Sequence, residues 1–162
     1  MKLSFRHLAA TTTGLAFSLI QLGVYTGATG AGLACAGRWP LCDGWLGLFP
    51  ATWPSFIEWF HRFVAMIAGF FILGVAGSAW RQNRGRWIRY SSAVALAVLP
   101  VQVLLGANTI FNFGVVAQVL HHAAALLILT ALTITTTLAF VGASGSPTST
   151  TDTAGTATPS DD

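Results

Sequence analysis

Four long apolar stretches, parted by short polar or basic segments, set the pattern of the chain. They run at about 8–28, 56–80, 90–110 and 115–141. Each is close to the ~20 residues that a helix needs to cross a ~30 Å hydrocarbon layer. The first and third are rich in Thr, Ser, Gly and Ala, small residues that let helix backbones approach closely in lipid. Pro100 falls inside the third and predicts a kink there, with neighbouring groups absorbing the freed carbonyl. The pattern predicts an all-α integral membrane protein, a bundle of four transmembrane helices over residues 1–143, with a long loop at 29–55. The remaining 144–162 is rich in Thr, Ser, Gly and Pro, holds Asp152, Asp161 and Asp162, and is expected to be a disordered tail.

Composition strengthens this picture. Of 162 residues, 54% are hydrophobic and 8% charged, against roughly 25% charged in soluble domains. So few charges leave a water-facing surface uncovered, and a lipid bilayer is the solvent that suits such a chain. The net charge of +3 does not point to nucleic acid. Arg81, Arg84, Arg86 and Arg89 crowd between two apolar runs, without the aromatic-interleaved basic face that a nucleic-acid binder uses. They read as a topology signal. Together with Lys2 and Arg6 they predict cytoplasmic N- and C-termini. The 29–55 loop and the 111–114 turn then lie outside, in a multi-pass protein of the cell (plasma) membrane. The first apolar run resembles a signal peptide but exceeds the ~7–15 residue core of one, so it is expected to stay as a helix.

Candidate chemistry gathers at the outer ends of the second and fourth segments. Glu58, the only glutamate in the chain, precedes His61 by three residues, and at helical spacing both point the same way. Arg62 follows. Ionisable groups inside a membrane segment are costly and usually face the bundle interior, although a carboxyl near a helix start also suits a cap. The fourth segment carries His121 and His122. With His61 about five residues into its helix and His121 about six, at ~1.5 Å per residue the imidazoles share a depth to within one turn. Facing histidines in a bundle core suit a haem ligated from both sides. Zinc asks for three or four protein ligands, more than this level offers. His121 and His122 differ by about 100° around the helix, so one of them faces His61, and either is a candidate. His7 reads as an interfacial residue. Cys35 and Cys42 in the outer loop suit a disulfide, as a staple or as a redox pair. Trp39, Trp45 and Trp53 suit an interfacial belt or a roof over a cofactor.

Together these residues resemble the haem A synthase family. Thr29-Gly30-Ala31-Gly32-Leu33-Ala34-Cys35 and Trp39-Pro40-Leu41-Cys42-Asp43-Gly44 look like its first outer loop. Glu58-Trp59-Phe60-His61-Arg62 is similar to its Glu-x-x-His-Arg, and Gln102-Val103-Leu104-Leu105-Gly106-Ala107 to its Gln-x-x-x-Gly. A histidine opens the fourth helix, as in the family. The resemblance spans about 23–132 and is closest to the short archaeal form.

It implies successive hydroxylation of the C8 methyl of haem O, with water loss giving the formyl group of haem A for cytochrome oxidase biogenesis. It also implies His61 and His121 as axial ligands, with His122 as the alternative. Glu58 is then the acid at the methyl, Cys35 and Cys42 the loop pair, and Arg38 or Arg62 a propionate contact. Haem O, haem A and possibly haem B are the implied haems, and the synthase that supplies haem O is a partner. Many members carry an arginine where Gly27 stands. Larger members have two four-helix halves, so a homo-oligomer is expected to complete the short form. A bis-histidine b-type cytochrome that only passes electrons is the alternative function, and a non-catalytic haem chaperone a third.

Overall fold

The computed structural model describes residues 4–144, with side chains to residue 142. Among them are four long helices, α1 (Phe5–Ala28), α2 (Trp53–Arg81), α3 (Arg86–Phe111) and α4 (Val115–Ser144), and no strand. All four are long and apolar enough to cross a membrane. The chain is thus an all-α protein with four membrane-spanning helices. The expected tail lies outside the described residues, apart from Ser144, which ends α4.

Helix α2 starts at Trp53 for a local reason. Thr52 has an extended backbone, and its side chain accepts a hydrogen bond from the Ser55 backbone N–H at 3.3 Å. Pro54 follows in the first turn, where its missing N–H costs nothing. The long loop therefore closes at residue 52. Helix α3 continues through Pro100 without a break in its assignment.

The helices alternate in direction, as contacts at the two ends show. At one end the Arg84 guanidinium lies 4.8 Å from the Phe5 ring centroid and that of Arg6 lies 5.8 Å from Phe140. This arginine end gathers the start of α1, the α2–α3 turn and the far part of α4. The other end carries the loop between α1 and α2 and the short α3–α4 turn, and is called the loop end below. Helix α1 packs on α2 and α4, and α3 packs on α4 and α2. Going round the bundle the order is α1, α2, α3, α4, so α2 and α4 face each other across the diagonal.

The interior is built of small and β-branched residues, with large apolar side chains outside. Ala16, Ile72, Ala95, Ile128, Ala131 and Leu132 form a buried cluster at mid-bundle, and Phe5, Val75, Ala79, Ile88 and Ala139 form another at the arginine end. Partly buried hydroxyls join the helices: Thr13 to Thr136 at 2.8 Å and Ser91 to Thr135 at 2.7 Å. Meanwhile Phe70, Leu104, Val115 and Val116 are two-thirds exposed or more. A water-soluble domain buries such side chains; a lipid-facing one displays them. Neither buried apolar cluster extends to the loop end, where buried Ser55 and Glu58 lie among Ala31, Ile57, Ala107 and Ala117.

Candidate functional site

The loop between α1 and α2 is held by a buried polar knot. Cys35 and Cys42 form a disulfide and are fully buried. Their sulfurs lie 4.0 and 3.7 Å from the Ser55 carbonyl oxygen. The Ser55 hydroxyl donates to Asp43 Oδ2 at 2.7 Å. Asp43 Oδ1 accepts from the Ala51 backbone N–H at 3.4 Å. Asp43 thus serves the loop itself and the start of α2. Gly44 sits at φ +85°, and a Cβ there would run into the Phe49 carbonyl, so only glycine fits that turn.

Beneath this loop lie the candidate residues of α2. Glu58 is buried at 6% exposure, and its Oε1 accepts from Arg62 Nε at 2.8 Å. This is the only ion pair among the described residues, and its partners are one helical turn apart. Arg62 also donates through Nη1 to the carbonyl oxygens of Arg38, Pro40 and Leu41, at 2.9, 3.3 and 2.6 Å. The side chain of Arg38 is itself exposed; it is the Arg38 carbonyl that enters the site.

Each of two histidines rests against a glycine on the neighbouring helix. His61 lies against Gly23 of α1, where an added Cβ would stand 3.1 Å from Nε2. His121 lies against Gly106 of α3, where a Cβ would stand 3.1 Å from Cε1. Ordinary carbon contacts begin at roughly 3.5 Å, so both glycines provide room that no other residue offers. The Gln102 amide nitrogen is 3.3 Å from His121 Nε2.

The two histidines of α4 have different surroundings. His121 shares the inward face of α4 with Ala117, Ile128, Leu132 and Thr135, all buried and in register with it at 3.6 residues per turn. His122 lies one position round, with Nδ1 2.7 Å from the Gln118 carbonyl. His7 is at the arginine end, bonded to Ser4 at 2.8 Å, and belongs to no site.

The fold therefore gathers Glu58, His61, Arg62, His121 and the disulfide loop at one end. It adds Gly23, Gln102 and Gly106, whose roles were not read from the sequence. Gln102, a polar side chain amid an apolar span, carried a signal; the contacts of Gly23 and Gly106 did not. No group of three or more His, Cys, Asp or Glu is placed to hold a metal ion among the described residues. His61 of α2 and His121 of α4, on helices that face each other across the bundle, remain as candidate ligands. Three buried atoms here, His121 Nδ1, Gln102 Oε1 and Arg62 Nη2, lack a hydrogen-bond partner. Unpaired buried polar atoms are rare unless a ligand or water answers them. The donor set fits a macrocycle with two axial positions better than a zinc ion.

Residues 45–133, which include every candidate residue of α2, α3 and α4, match the COX15-CtaA family, cytochrome oxidase assembly proteins. The chain belongs to this family. Among similar proteins is the haem A synthase of Bacillus licheniformis, 34% identical over 133 residues, 80% of this chain and 43% of that protein. The haem A synthase of Alkalihalophilus pseudofirmus is 32% identical over 132 residues, 80% of this chain and 44% of that protein. A protoheme IX farnesyltransferase of Halobacterium salinarum is 40% identical over 108 residues, 66% of this chain and 23% of that protein. The chain spans less than half the length of these relatives.

Proposed function

We propose that the chain takes part in haem A synthesis, oxidising the C8 methyl of haem O to a formyl group within the membrane. The observation that carries this reading is the loop-end interior: two histidines on diagonal helices, each packed against a glycine of a neighbouring helix, and a buried carboxylate one turn from the first. His61 and His121 are the proposed axial ligands of haem, His121 being favoured over His122 by its place on the inward face of α4. Cytochrome oxidase assembly, named by the family, is the process this activity serves. The excess of arginine at the opposite end supports an outward-facing site.

Bound between α2 and α4, the haem iron supplies redox chemistry that no side chain of this chain provides. What the chain supplies is placement and proton handling. Turning a methyl into a formyl with water as the oxygen source releases four protons and four electrons, the electrons leaving to an external oxidant, so a carboxylate held beside that carbon has protons to receive. Glu58 is the proposed group. Arg62 engages Oε1, which fixes the orientation of the carboxylate and keeps a charge-assisted hydrogen bond on it in a region that water enters poorly. The disulfide loop covers the end of the bundle, and its buried knot keeps that cover in register over Glu58.

Haem O as substrate makes a haem O synthase the expected supplier, and a protoheme IX farnesyltransferase among the relatives supports that context. A further copy of this chain is a proposed partner. The test is to express the chain where haem O is available and extract its haems. Haem A or a hydroxylated precursor supports the proposal; unmodified haem alone overturns it in favour of electron transfer.

A further inference from the structure

One guanidinium joins the buried carboxylate to the disulfide ring. Arg62 Nε donates to Glu58 Oε1, while Nη1 reaches the carbonyl oxygens of Arg38, Pro40 and Leu41. All three carbonyls lie between Cys35 and Cys42, inside the ring that the disulfide closes. The remaining nitrogen, Nη2, is buried with no hydrogen-bond partner, so the guanidinium is held through one edge by Glu58 and through one corner by the ring. A planar guanidinium with donors fixed in a fork transmits a shift at one edge to the other; a lysine ammonium, a single point on a flexible stem, does not.

We propose that Arg62 is a positioning residue that couples the state of the Cys35–Cys42 ring to the orientation of Glu58. With the ring closed, seven peptide links and one disulfide restrict where the three carbonyls stand, and the guanidinium has one seat. With the ring open, the segment regains the chain freedom that the cross-link removes. The carbonyls then no longer converge, and Arg62 and the Glu58 carboxylate take new positions together. Opening consumes two electrons and two protons from a dithiol, which leaves as its own disulfide, and yields the Cys35 and Cys42 thiols. The functional consequence rests on the reading of Glu58 as the group beside the substrate methyl. The coupling itself does not.

A sole glutamate makes the coupling directly measurable. Glutamate isotopically labelled at its side-chain carboxyl reports on Glu58 alone by infrared or magnetic resonance spectroscopy of the purified, full chain in lipid. The ring is opened by the Cys35→Ser/Cys42→Ser pair or, should that variant not accumulate, by dithiol treatment with the thiols counted by mass. Opening is expected to shift the Glu58 carboxylate signal. The shift should vanish in an Arg62→Gln background, where the link is already cut, and in Arg62→Lys, which keeps the charge but not the fork. An unchanged signal on opening overturns the proposal, as does a shift of the same size with Arg62 replaced. Neither readout needs haem, so a chain that makes no haem A can still show the coupling, and the two failures are told apart.

Discussion

Replacing Gly23 by alanine puts the haem reading under a controlled steric load. The new Cβ would stand 3.1 Å from His61 Nε2, so the imidazole must retreat by roughly half an ångström to reach ordinary contact. Without haem the ring is free to turn aside, and alanine in place of an interior glycine favours the helix by up to ~1 kcal/mol. The protein should therefore stay folded, with a melting temperature unchanged or raised. With haem the ring is tied to iron and cannot turn. The overlap then costs the ~1–3 kcal/mol typical of overpacking, or about 5- to 150-fold in affinity. Gly106→Ala, 3.1 Å from His121 Cε1, should behave alike. Gly14→Ala and Gly74→Ala, which meet nothing within 4 Å, are the controls and should bind haem as wild type does. The assay is haem titration of purified protein in detergent, followed by Soret absorbance, beside a thermal melt. Equal affinity for Gly23→Ala and Gly14→Ala would refute the reasoning. So would a Gly23→Ala protein that fails to fold, since the glycine would then be needed by the bundle itself.

Other outcomes follow from the same contacts. Ser55→Ala removes the hydroxyl that Asp43 accepts and leaves a carboxylate oxygen without its donor. It should lower stability by ~1–3 kcal/mol and expose the loop to protease, measured by melting and limited proteolysis. Gly44→Ala meets both a positive φ and the Phe49 carbonyl, so the loop should fail to close, read as labelling of free Cys35 and Cys42 thiols; a fully oxidised variant would contradict the turn assignment. Gln102→Leu removes the amide beside His121 and should weaken haem binding by about 10- to 100-fold, as loss of an outer hydrogen bond to a ligand does, with a shifted Soret band. His121→Ala should lose the six-coordinate haem spectrum and His122→Ala should keep it; the reverse result exchanges their roles.

The helices were legible because lipid imposes the strongest rule a sequence can carry: about twenty apolar residues, unbroken, for every crossing. Such a rule survives without knowledge of partners. The ends of α2 were harder, since Thr52 and Pro54 set the start through a cap rather than through hydrophobicity. Glu58, His61 and His121 stood out because polar groups are conspicuous in an apolar span. The place of Arg62 in the site was less visible. Its three carbonyl partners belong to a loop whose path depends on the disulfide and on Gly44, and no spacing encodes that fan of oxygens. Asp43 illustrates the same limit. In the sequence it is one residue of the loop motif, and no spacing shows that in the fold it turns to Ser55 and the Ala51 N–H. Gly106 stood in the Gln-x-x-x-Gly resemblance with no contact to explain it, and Gly23 was hidden: glycine is common in helices that pack closely in lipid, and only coordinates show that both face an imidazole.

The central claim is that this chain changes the haem it binds and that Glu58 is needed for the change. Chromatography of the haems extracted from wild type and Glu58→Gln, each expressed with haem O available, tests it most directly. Wild type is expected to yield haem A or its hydroxylated precursor, and Glu58→Gln an equal load of haem with no formyl product. Equal amounts of haem A from both proteins, or unmodified haem alone from both, would contradict it.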